Sequence, residues 1–169
     1  MDHNSSRKNE RSLRFKVIVI MLGMLVVIAI TLAVGVFLIN FSGELAARES
    51  YQDIAFMRYP VLIICESVIV LFLVPCALSF PLLARIYRGK SFTLSSVRLL
   101  RVMSICFFLM ILPFLALEIY TEQFIGGSII NLYCFLGMGI AFIVANLFGL
   151  FTTLIERASE FEQEINLTI

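Results

Sequence analysis

The chain has 169 residues, 60% of them hydrophobic and only 15% charged, with a net charge of +1 and a mean hydropathy of +0.99. Soluble domains are typically about 45–50% apolar, and a single domain of this size has no interior large enough to hide the excess. The near-neutral net charge argues against a polyanion-binding protein, and the composition points to a bilayer as the solvent.

The basic segment 1–16 is followed by an uncharged apolar run, Val17–Ile39, of 23 residues. A signal-peptide core is roughly 7–15 residues long, and no small-residue cleavage site follows, so the run is expected to be a retained span. Three further spans are predicted over about 59–84, 97–119 and 128–155, each long enough to cross a ~30 Å hydrocarbon core. The second carries Glu66, Pro75 and Pro81, and the third carries Pro113. Polar connections fall at 42–58, 85–96 and 120–127. The expected fold is all-α: a four-helix transmembrane bundle, antiparallel between neighbours, in a 17–155 membrane domain. A basic N-terminal segment (1–16) and an acidic tail (156–169) flank it.

Charge asymmetry predicts the orientation. Arg7, Lys8, Arg11, Arg14 and Lys16 precede span 1. Arg85, Arg88, Lys90, Arg98 and Arg101 surround the link between spans 2 and 3, and Arg157 follows span 4. Only Arg48 and Arg58 lie on the opposite side. By the positive-inside rule both termini and the middle link are cytoplasmic, in a multi-pass protein of the cell membrane.

Gly89-Lys90-Ser91 resembles the end of a phosphate-binding loop. The full pattern needs a glycine at position 84, which is alanine, and a preceding strand, where a membrane span stands. A turn fits better, with Gly89 permitting reversal and a hydroxyl of Ser91, Thr93 or Ser95 capping helix 3. The N-x-[ST] triplets at Asn4, Asn40 and Asn166 read as chance. Cys65, Cys76, Cys106 and Cys134 all lie in apolar runs without C-x-x-C spacing and read as small buried hydrophobes. With a single histidine, His3, no Ser/His/Asp, Cys/His or metal-ligand constellation can be assembled. The expectation is a protein that is not an enzyme and holds no metal or cofactor.

In span 4, Gly137, Ala141, Ala145 and Gly149 recur every four residues. Such a stripe lies on one helix face and lets another helix approach closely. The partner could be another span or a second copy in a homo-oligomer. Glu66 and Glu118 lie in the outer half of spans 2 and 3. Intramembrane acids are candidates for ion, proton or ligand handling, although pairing with Arg58 or hydrogen bonding to Tyr59 or Tyr120 is the plainer expectation. Arg85, Arg88, Lys90, Arg98 and Arg101 form a basic collar, suited to setting topology and attracting anionic headgroups.

The tail has the most distinctive pattern. Glu156, Glu160 and Glu164 make an acidic stripe, while Ala158, Phe161, Ile165 and Ile169 make an apolar one. Helix 4 is thus expected to continue beyond the membrane as an amphipathic helix. Anionic lipid repels an acidic stripe, so a protein surface suits it better: the chain's own collar or a basic partner.

Two segments carry a family resemblance. One is Arg85-Ile86-Tyr87-Arg88-Gly89-Lys90-Ser91-Phe92-Thr93 with Ser96-Val97-Arg98-Leu99-Leu100-Arg101. The other is Glu160-Phe161-Glu162-Gln163-Glu164-Ile165-Asn166-Leu167-Thr168-Ile169. In these the chain resembles the YoaS-like family of four-span bacterial membrane proteins of uncharacterised function. By association the resemblance implies a membrane partner for a small helix-turn-helix regulator. A partner-binding surface of Glu156, Glu160, Phe161, Glu164, Leu167, Thr168 and Ile169 follows, and no direct contact with nucleic acid. The alternatives are a small transporter or channel subunit using Glu66 and Glu118, and a structural or immunity-type protein of the bilayer.

Overall fold

The computed structural model describes the backbone of residues 3–46, 56–87, 94–124 and 128–167, and side chains over 14–44, 56–87, 95–124 and 128–158. Within these the chain forms four helices: α1 His3–Ala46, α2 Arg58–Tyr87, α3 Leu94–Phe124 and α4 Ile129–Leu167. All four are long and apolar enough to cross a membrane.

The helices outrun the apolar stretches that define the spans. α1 begins at His3 rather than near Val17 and extends to Ala46. α3 continues through Tyr120 to Phe124, where a loop was expected. Lys, Arg and Glu are good helix formers, so loss of hydrophobicity marks the membrane edge without ending the helix. At 1.5 Å per residue α1 and α4 are about 66 and 58 Å long, roughly twice the hydrocarbon thickness. Pro75, Pro81 and Pro113 are accommodated inside continuous helices. Ser128 starts α4 as an N-cap, its hydroxyl accepting from the Ile130 amide at 3.2 Å.

Neighbours pack in chain order: α1 on α2, α2 on α3, α3 on α4. No other helix pair brings its backbones close together among the described residues, so the arrangement is open and α1 is peripheral. Contacts at both ends make neighbours antiparallel. Arg58 reaches Ser42 at one end of the α1–α2 pair, at 3.4 Å, and Arg14 lies over the Tyr87 ring at the other, at 5.4 Å. In the α3–α4 pair, Glu122 accepts from Asn131 at one end and Arg101 pairs with Glu156 at the other.

The densest packing joins α3 and α4, where Met103 and Ala145 are fully buried and Cys134 nearly so. Phe107 on α3 stacks on Phe148 of α4 and meets Phe72 of α2 edge-on, tying three helices together. Elsewhere large apolar side chains point outward on all four helices, which suits lipid rather than water. Hydroxyl and amide side chains on these faces bond back to their own helix, as Thr31 does to the Val27 carbonyl and Thr153 to that of Gly149. A polar group in hydrocarbon is tolerated when it is satisfied in this way.

Candidate functional sites

One end of the bundle gathers the N-terminal part of α1, the C-terminal end of α2, the N-terminal end of α3 and the C-terminal part of α4. Arg14, Tyr87, Arg101 and Glu156 mark it. Of the basic collar, Arg98 and Arg101 are exposed and Arg85 is half-buried. Arg85 keeps one buried guanidinium nitrogen, Nη1, without an acceptor. Arg88 and Lys90 lie outside the described residues, as do Ser91 and Thr93 of the expected cap. Arg101 Nη2 and Glu156 Oε1 are 2.6 Å apart, with the arginine side chain 60% exposed. An ion pair this open contributes about 0–1 kcal/mol, so it orients the base of the tail more than it holds the fold together.

α4 runs unbroken from the membrane to Leu167. Glu156, Glu160 and Glu164 therefore follow one another on a single helix at four-residue spacing, with Phe161 and Leu167 on the same stretch. The side chains beyond Ala158 lie outside the described residues, and so do Thr168 and Ile169 entirely.

The opposite half of the bundle holds the two membrane acids. Glu66 Oε1 and Glu118 Oε2 are both buried without a hydrogen-bond partner. Glu118 is near enough to Cys134 to interact electrostatically, and Cys134 likewise to Cys65, the neighbour of Glu66. The two acids thus sit at a similar level of the bundle, on α2 and α3, with Cys134 of α4 between them. The expected pairing of Glu66 with Arg58 is absent. Arg58 instead bonds Ser42 and lies over the Tyr59 ring, 5.2 Å from its centre. Against Glu66 stands Gly35 of α1, where a Cβ would come 3.3 Å from Oε2. That glycine lets the α1 backbone close over the carboxylate.

The small-residue stripe of α4 lies against α3. A Cβ on Gly137 would fall 2.8 Å from the Phe114 ring, and one on Gly149 3.6 Å from Ser104 Oγ. Ala141 and Ala145 are buried, and Ser104 donates to the Ala145 carbonyl at 2.8 Å. Beside this interface lies an apolar cavity of about 300 Å³. Thr31, Ile69, Phe72, Phe107, Phe114 and Gly137 are among its walls, so all four helices contribute.

Three features escaped the sequence reading: the Glu122–Asn131 bond, the Ser128 cap and the outward-facing Asn146 on α4. A polar residue within or at the edge of a span is the signal that could have flagged each one.

A family profile described as "Protein of unknown function (DUF2975)" matches residues 42–169, taking in α2, α3 and α4. No curated protein and no solved structure matches the chain. With most of its length under that profile, the chain is a multi-pass membrane protein that belongs to the DUF2975 family.

Proposed function

We propose that this chain is a regulatory membrane protein whose C-terminal helix binds a small basic cytoplasmic protein, a helix-turn-helix DNA-binding regulator. The observation that carries the proposal is the unbroken passage of α4 from the membrane out to Leu167. It extends Glu156, Glu160 and Glu164 beyond the lipid on one rigid element. DNA-reading surfaces are rich in Lys and Arg for phosphate contact. An acidic helix anchored in the membrane competes for such a surface and keeps it from DNA. The Arg101–Glu156 pair sets the direction in which the tail leaves the bundle. Both termini and the collar face the cytoplasm of a cell membrane in this proposal, supported by the eleven of thirteen Lys/Arg at that end. The role requires no catalytic group. The test is a pull-down from membranes with and without residues 156–169. The proposal expects the partner to be lost with the tail; equal recovery from both forms contradicts it.

A second reading, a small transporter or channel subunit, is favoured by the unpartnered buried oxygens of Glu66 and Glu118. It predicts an ion or solute flux in proteoliposomes that Glu66→Gln abolishes. Absence of flux from the intact chain counts against it.

A further inference from the structure

The face of α4 turned away from α3 carries a regular seam. Leu132, Leu136, Gly139, Ile143, Asn146, Leu150 and Thr153 succeed one another at alternating steps of four and three residues. Every one is exposed, Leu132 and Ile143 at 66% and 59%, and nothing lies within 4 Å of a Cβ built on Gly139. Lipid requires apolar side chains but imposes no register on them. A step averaging 3.5 residues is the one that keeps a helix facing another helix along its length.

Asn146 makes the seam more than an apolar surface. It lies near the middle of the Ile129–Ala158 membrane segment. Its Nδ2 donates to the Phe142 carbonyl at 2.7 Å, an oxygen already within the helix ladder. The second amide hydrogen and Oδ1 have no partner among the described residues. In hydrocarbon, unmet donors and acceptors are costly. An asparagine amide has a partly positive N–H and a partly negative oxygen side by side. Its charge complement is therefore another asparagine related by a two-fold axis, and an isologous interface brings each residue close to its own copy. We infer that the chain forms a two-fold dimer in the membrane through this α4 seam, with Asn146 bonding Asn146 of the second copy and Gly139 permitting close approach. Beyond Thr153 the same register passes to Arg157, Glu160 and Glu164. Like charges there part the two helices, so pairing ends at the membrane surface and the two tails separate.

The experiment uses the full chain in liposomes. Ile143→Cys, treated with an oxidant, should give a disulfide-linked dimer. The unaltered chain and Leu112→Cys, on the lipid-facing side of α3, should not. Energy transfer between donor- and acceptor-labelled chains should show dimerisation weakened roughly 3- to 15-fold by Asn146→Leu and retained by Asn146→Gln. Ile143→Cys linking no better than Leu112→Cys leaves lipid as the occupant of the seam and overturns the inference. Monomers at every protein-to-lipid ratio do the same. Equal dimerisation of the native chain and Asn146→Leu, or equal loss in the Leu and Gln variants, removes the amide from the interface and likewise overturns it.

Discussion

Gly137 and Ser104 are the single residues on which the α3–α4 interface depends most directly. With a Cβ only 2.8 Å from the Phe114 ring, Gly137→Leu forces that ring out of its place beside the apolar cavity. Overpacking of this kind costs about 1–3 kcal/mol, and a denaturant titration in mixed micelles should show the loss. Ser104→Ala removes the bond to the Ala145 carbonyl and leaves that oxygen with its helix partner alone. Its effect should be smaller, about 0.5–2 kcal/mol in the same titration. At this scale the sequence was only partly readable. The four-residue spacing of Gly137, Ala141, Ala145 and Gly149 is visible in the letters, but which helix lies opposite is not. The same holds for Glu66. Its position in the span is plain, whereas its neighbour, Gly35, depends on how α1 is rotated against α2. Arg58 could have reached inward to Glu66, but the interface offers it Ser42 and the face of Tyr59 at lower desolvation cost.

Among the elements, the four helices were legible because each contains a long run without charge. Their ends were not, because hydropathy reports the solvent and helix formation reports the backbone. α1 shows this best: residues 3–16 are polar and still helical. α4 shows it with consequence, since its polar C-terminal segment remains one rod with the span. The acidic stripe is thereby tied mechanically to the membrane domain. A proline at position 159 should break that tie. Ser159→Pro is expected to cost about 3 kcal/mol of local helix stability. Circular dichroism should register the lost turns, and partner recovery should fall even though every glutamate is retained. Glu156→Gln, by contrast, should change stability by less than about 1 kcal/mol, since its partner Arg101 is largely exposed.

Across the whole molecule, packing is graded. α3 and α4 form the dense pair, α2 joins them through Phe72 and Phe107, and among the described residues the α1 backbone comes close to α2 alone. The profile that defines the family begins at residue 42, near the end of α1, so most of the peripheral helix lies outside the stretch it covers. Attachment of α1 should then be separable from the rest. If the chain is split after Gln52 and the halves are co-expressed, Gly35→Val should weaken their association by about 1–3 kcal/mol in co-purification, while α2–α4 stays assembled. The open order of the helices could not be read from the sequence, because four apolar runs are compatible with a closed ring as well as a row. The close approaches at Gly35 and Gly137 and the ring contacts of Phe107 show which helices are neighbours.

Orientation underlies every role assigned to the tail and collar, and it can be measured on intact cells. Single cysteines at Asn9, Gln52 and Ser159, in a background without the native four, would be probed with a maleimide that cannot cross the membrane. Labelling of position 52 from outside, with positions 9 and 159 reacting only after permeabilisation, is the predicted result. Labelling of position 9 or 159 on sealed cells would place the acidic helix on the wrong side of the bilayer and contradict the account.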